Sequence, residues 1–113
     1  MDDLKNPLAL PLVAKKDSEV VGYASLWQVE KELQIGNLAV GRKHRREGIA
    51  RFLMREILKE ATKRGCRSIR LDVRESNRSA IRLYDEFGFV LQSKRKNYYR
   101  FPEEDALVML KSL

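Results

Sequence analysis

Between Asn37 and Ala50 the chain changes its period, and that change constrains the fold more than any other stretch. The segment NLAVGRKHRREGIA reads as the end of a buried strand, a basic loop and the first turn of a helix. Upstream, residues 33–40 form a strand. Downstream, Ile49, Phe52, Leu53, Ile57 and Ala61 recur at helical spacing, with Arg51, Arg55, Glu56, Lys59 and Lys63 largely on the remaining surface. Gly65 is a fitting C-terminal stop. Ile69, Leu71 and Val73 then alternate with Arg70, Asp72 and Arg74, which is strand periodicity. Strand, helix, strand is a crossover, so the strands at 33–40 and 67–73 are expected to be parallel neighbours.

The loop inside this unit has the makings of an anion site. Main-chain N–H groups at a helix start lack intrahelical partners, and the helix dipole adds partial positive charge there. Gly48 and Ala50 allow close approach, while Arg42, Lys43, Arg45 and Arg46 add charge. Such a cradle suits a phosphate or pyrophosphate. The alternative is a plain basic connector.

Around this unit the chain reads as further strands and one more helix. Residues 8–14 form a strand that Pro11 confines to an edge or a bulge. A polar turn at 15–19 leads to a strand at 20–29, and the short links make strands one to three an antiparallel meander. After residue 74, Ser76 or Asn77 can cap a helix whose apolar stripe is Ala80, Leu83, Tyr84 and Phe87, ended by Gly88. Residues 89–94 and 106–111 read as two closing strands, and 95–105 as a long loop bearing Tyr98 and Tyr99.

Length and composition set the class. One domain spanning 1–113 with one core is expected from 113 residues, 43% of them hydrophobic and 35% charged. No apolar run approaches the ~18 residues of a membrane span, and the N-terminus does not read as a secretion signal. The single cysteine, Cys66, excludes an intrachain disulfide and fits a cytoplasmic location. A net charge of +7 favours an anionic partner such as a phosphorylated cofactor. Aromatic and basic residues interleave only at 97–101, which argues against a nucleic-acid platform. There is no Cys/His cluster, so no metal is expected.

The motifs resemble the GNAT N-acetyltransferases. Arg45-Arg46-Glu47-Gly48-Ile49-Ala50 is similar to the family's (Arg/Gln)-x-x-Gly-x-(Gly/Ala) acyl-CoA loop. Asn77-Arg78-Ser79-Ala80-Ile81-Arg82-Leu83-Tyr84, followed by Phe87-Gly88-Phe89, is similar to its second signature. Asn37-Leu38-Ala39-Val40, the run from Leu71 to Asn77, Arg95-Lys96-Asn97-Tyr98-Tyr99 and the run from Glu104 to Met109 resemble the RimI-type branch. Those enzymes acetylate the α-amino group of protein N-termini, a ribosomal protein being the bacterial example. The resemblance covers residues 8–113. It implies an α/β (α+β) GNAT fold: a mixed, mostly antiparallel sheet with a central parallel pair flanked by helices. That fold's first strand and two helices find no counterpart, so an N-terminally truncated form with an exposed edge is expected. A second copy of the chain is one candidate to cover that edge.

The resemblance also implies roles for residues. Acetyl-CoA would lay its acyl arm along Leu38, Ala39 and Val40, and its pyrophosphate on the N–H groups of Arg46, Glu47, Gly48, Ile49, Ala50 and Arg51. Arg45 and Arg46 would be charge partners and Asn77 would bind the arm. A main-chain N–H near Val40 is the candidate oxyanion donor. Tyr84 would be the general acid, its ring packing while its hydroxyl faces the cleft. Asp72 stands where the RimI pattern has a glutamate base, one methylene shorter; its alternative is a polar member of the strand. Gln34 lies where some GNAT enzymes place a glutamate and could position a water. His44 reads as a surface or phosphate-side residue. Tyr98 and Tyr99 would contact the acceptor. The expected function is acetyl-CoA-dependent acetylation of a protein N-terminus. A lysine or small amine as acceptor, or a CoA-binding module without turnover, are the alternatives.

Overall fold

The computed structural model describes residues 8–45 and 48–113. Its elements are β1 (Leu8–Lys16), β2 (Glu19–Val29), β3 (Glu32–Val40), a 3-10 turn (Arg42–His44), α1 (Ile49–Lys63), β4 (Ser68–Arg74), α2 (Arg78–Glu86), β5 (Val90–Tyr99) and β6 (Glu104–Ser112). They form one six-stranded sheet in the order β1-β2-β3-β4-β6-β5. All neighbours are antiparallel except β3 and β4, the pair that the α1 crossover makes parallel. The expected mixed sheet with a central parallel pair is the observed one.

Both helices lie on one face of the sheet, and this follows from alternation. Ile69, Leu71 and Val73 are buried and share a hydrophobic cluster with Met54, Ile57 and Ala61 of α1 and Tyr84 of α2. Leu53, Met54, Ile57 and Ala61 make the apolar stripe of α1. Burying each of the larger side chains contributes roughly 1.5–3 kcal/mol. Arg70, Asp72 and Arg74 therefore point to the opposite face, which no helix covers among the described residues.

The C-terminal hairpin departs from the sequence reading. Residues 95–99 are not loop; they continue β5 to Tyr99, and only Arg100 to Glu103 turn the chain. Residues Val90 to Tyr98 of β5 are exposed, so neither face carries an apolar pattern for periodicity to detect. The strand is held by main-chain pairing with β6 through an irregular register. At the other end of the sheet β1 is the terminal strand, as Pro11 suggested, although its bulge falls at Ala14/Lys15. A proline and a bulge on an edge discourage addition of another strand.

Candidate active site

The site begins where β3 and β4 part. Their parallel pairing runs from Glu32↔Ser68 to Ile35↔Leu71 and stops there. Beyond it, β3 continues to Val40 and β4 to Arg74 with no pairing between them. The cause sits at Gly36. It is the extra residue of a bulge, since Leu26 faces Ile35 while Ser25 faces Asn37. A bulge bends its strand and sharpens the local twist. Only glycine fits, because a Cβ there would lie 2.0 Å from Trp27 Cζ3. Leu38, Ala39 and Val40 thus line a wedge whose β4 side is free of sheet pairing. Main-chain groups on that side are available to an extended ligand arm.

At the mouth of the wedge stands the start of α1. Its N-cap is Gly48 in the left-handed region (φ +80°), with no side-chain cap and no acidic residue in the first turn. The first intrahelical bond is from Phe52 N–H to the Gly48 carbonyl (3.0 Å). Among the described residues, no side chain accepts from the N–H groups of the first turn. Arg42, Lys43 and His44 of the 3-10 turn and then Arg45 lead into this end. The Arg46 and Glu47 positions expected to join the loop lie outside the described residues. His44 pairs with Glu19 at 3.4 Å, as a surface residue would. Arg51 contributes its N–H, but its guanidinium is tied to Glu86 of α2 at 2.6 Å. A donor-rich, uncapped helix start beside an unpaired strand fits a phosphorylated cofactor with an extended arm.

Tyr84 enters from the helix side, and the end of α2 sets its place. Gly88 (φ +90°) closes the helix by donating to the Asp85 carbonyl, and Phe89 N–H donates to the Tyr84 carbonyl (both 3.0 Å). This C-terminal motif folds Phe89 back onto the helix. Its ring, fully buried, sits 5.9 Å from the Tyr84 ring. Tyr84 is only 6% exposed, and its hydroxyl has no hydrogen-bond partner among the described residues. Burial pushes the phenol up to about 12, and the nearby Tyr99 phenol adds to the rise. Tyr84 is thus both a core residue and a protonated donor.

Asn77 takes a more structural place than expected. Its carboxamide oxygen accepts from Ala80 N–H at 3.3 Å and caps α2. Only its amide N–H groups remain for a ligand. Gln34 likewise has an occupation: its amide donates to Glu32 at 2.9 Å, and Glu32 also pairs with Arg70.

Asp72 lies on the open face beside the wedge. One of its carboxylate oxygens is buried without a hydrogen-bond partner. Tyr99 of β5 lies close enough for the Asp72 charge to act on its phenol. Burial raises the Tyr99 phenol, the Asp72 carboxylate and then Tyr98 raise it further, and Arg74 opposes them. Tyr98 meets Tyr99 edge-on at 5.1 Å. The sequence reading missed Arg74. Its guanidinium stacks 4.4 Å from the Tyr99 ring centre and donates to the carbonyls of Arg100 (3.3 Å) and Pro102 (3.0 Å) and to Glu104 (3.3 Å). The available signal was its two-residue offset from Asp72 on one strand face. A cavity of about 680 Å³ lies away from this site, between α2 and the β5–β6 hairpin, lined by Ile81, Phe89, Leu91 and Met109. Glu75, Arg78, Arg82 and Asp85 also line that cavity; what sets the wedge apart is its unpaired strand backbone beside Asp72.

Comparison with known proteins then fixes the family. The sequence profile of the acetyltransferase (GNAT) family matches residues 2–89. The chain belongs to the GNAT acetyltransferase family. A Bacillus subtilis (strain 168) relative, provisionally named a ribosomal protein bS18-alanine N-acetyltransferase, is 38% identical over 106 residues. That match spans 94% of this chain and 70% of the relative. The Escherichia coli (strain K12) ribosomal protein bS18-alanine N-acetyltransferase is 34% identical over 96 residues, 83% of this chain and 65% of that protein. The chain thus spans about two thirds of the length of these relatives. The crystal structure of the Escherichia coli ribosomal-protein-S18-alanine N-acetyltransferase superposes with a TM-score of 0.89 at 30% identity, covering 97% of this chain and 72% of that one. A GNAT acetyltransferase from Elizabethkingia anophelis, solved with acetyl-CoA bound, shares the fold with a TM-score of 0.86 at 23% identity, covering 93% and 76%. This GNAT domain has relatives of the RimI type, and no helix among its described residues is long and apolar enough to cross a membrane.

Proposed function

We propose that this GNAT domain transfers the acetyl group of acetyl-CoA to the α-amino group of a protein N-terminus. The observation that carries the proposal is the two-sided wedge. Tyr84, buried on the helix face, would reach it, while Asp72 offers an unpartnered buried carboxylate oxygen on the open face. Acetyl-CoA would supply an activated thioester. Leu38 to Val40 would hold its acyl arm by main-chain groups, the start of α1 its pyrophosphate, and the Asn77 amide N–H groups the arm's far side. A main-chain N–H near Val40 would meet the charge that develops on the carbonyl oxygen.

The pKa values assign the proton roles. An α-amine at ~8 is roughly one-tenth neutral at pH 7, whereas a lysine at ~10.4 is neutral in only about one molecule in 2,500. An N-terminus therefore needs only modest help, which Asp72 supplies by taking the ammonium proton, directly or through water. Tyr84, held near 12, stays protonated across the working range. Complete proton loss from it to a thiolate of pKa ~8.5 would be uphill by ~5 kcal/mol. Tyr84 is accordingly a hydrogen-bond donor that steadies the departing sulfur. Tyr98 and Tyr99 would flank the acceptor's first residues, and an N-terminus of the bS18 type, the acceptor named for the relatives, is the proposed partner.

The test is free-thiol release from acetyl-CoA with N-terminal peptides, including a bS18-type sequence, set against acetyl-blocked lysine peptides and small amines. Turnover at least tenfold faster with a free peptide N-terminus is expected. Faster turnover of lysine or a small amine would overturn the acceptor assignment, and no thiol release with any amine would overturn the enzyme reading.

A further inference from the structure

Arg74 holds the hairpin end that carries Tyr98 and Tyr99, and it does so with both terminal nitrogens and a flat face of its guanidinium. One edge donates to Pro102 and Glu104, another to Arg100, and the flat face lies on Tyr99. The two carbonyls it grips flank Phe101, which is 94% exposed and held at φ +58°. A non-glycine residue in that region costs energy and persists only when its surroundings hold it. Phe101 is almost wholly exposed, and the two carbonyl bonds from Arg74 bracket it within a turn closed by the Tyr99–Glu104 pairing. Glu104 is in turn fixed by Ser76 at the start of the α2 approach, and hydrogen bonding from Ser76, with Arg74 alongside, keeps its carboxyl below the usual range. Asn97 N–H donates to Asp105 at 2.8 Å, closing the other side of the turn.

An exposed ion pair alone is worth only ~0–1 kcal/mol. Arg74 does more because a planar guanidinium offers several donors in fixed directions and a face for stacking. A lysine could keep the charge but not bridge two carbonyls and a carboxylate at once. Asp72 lies two residues away on the same strand face, so the residue that anchors the hairpin shares a strand with that carboxylate.

We propose that Arg74 is the positioning residue of the acceptor site: it pins the β5–β6 turn so that Tyr99 stays stacked on the strand face that Arg74 shares with Asp72. The acceptor part of this inference rests on the transfer reaction proposed above. The hairpin part does not.

The experiment compares wild type, Arg74→Lys and Arg74→Gln by amide hydrogen exchange and by steady-state kinetics with an N-terminal peptide. In Arg74→Gln, exchange across residues 97–104 is expected to rise at least tenfold while β4 and α1 keep their protection. The peptide KM should rise at least tenfold, with kcat within about threefold and acetyl-CoA affinity unchanged. Arg74→Lys should recover less than half of the KM effect on a logarithmic scale. Unchanged hairpin exchange in a folded Arg74→Gln protein would overturn the proposal. So would a loosened hairpin with an unchanged peptide KM, or full recovery by lysine. If wild type transfers acetyl to no amine, the reaction reading fails, and the exchange measurement alone still decides whether Arg74 pins the hairpin.

Discussion

The two helices start in opposite ways. At α2 a side chain does what helix starts usually need: Asn77 accepts from Ala80 N–H and satisfies a donor that the helix geometry leaves open. At α1 nothing comparable happens among the described residues. The N-cap is Gly48, no side chain among the described residues accepts from the first turn, and the 3-10 turn Arg42–His44 is basic. Among the described residues, donors left open at one helix start and capped at the other support the proposed place of an external anion at α1. The helices differ at their far ends too. The last turn of α2 carries Tyr84, fixed by Phe89. On this view α1 binds and α2 reacts.

Single substitutions can break that division. The largest effect is expected at Tyr84. Tyr84→Phe keeps the ring that packs on Phe89 and removes only the donor, so kcat should fall by roughly a hundredfold. Acetyl-CoA affinity should move by less than twofold in calorimetry. The same variant carries a pH signature. A phenol raised in the fold to about 12 against ~10 unfolded leaves stability intact below pH 10 and erodes it as pH climbs through the folded value. Chemical denaturation should show wild type losing stability between pH 10 and 12 relative to Tyr84→Phe, with parallel curves below pH 9. A smaller effect is expected at the capped helix start. Asn77→Ala should destabilise by about 1 kcal/mol, the usual worth of an N-cap. A loss of acetyl-CoA affinity beyond fivefold without that destabilisation would mean Asn77 serves the ligand more than the helix.

Much of this arrangement was legible because burial imposes a period. The helical stripe from Ile49 to Ala61 and the alternation from Ile69 to Val73 announced the crossover, and glycines after each helix marked the stops. The same alternation put Asp72 and Arg74 together on one face. What escaped was whatever has no burial pattern. Most of β5 is solvent-exposed, so its second half looked like loop, and Tyr98 and Tyr99 were assigned to the wrong kind of element. The point where β3 and β4 separate was equally silent. It depends on Trp27 lying over Gly36, a contact between strands that a lone glycine does not advertise. Arg74 was passed over because its partners, Arg100, Pro102 and Glu104, become neighbours only once the hairpin is built.

The claim that the α1 start is reserved for the cofactor's phosphates is tested most directly at Gly48. Acetyl-CoA titrated calorimetrically into wild type and into Gly48→Asp compares an open helix start with one supplied its own carboxylate. Aspartate is among the residues that tolerate a positive φ, and thermal unfolding checks that the variant is folded. The account predicts saturable binding to wild type and at least thirtyfold weaker binding to Gly48→Asp. Equal affinity in the two folded proteins would contradict it.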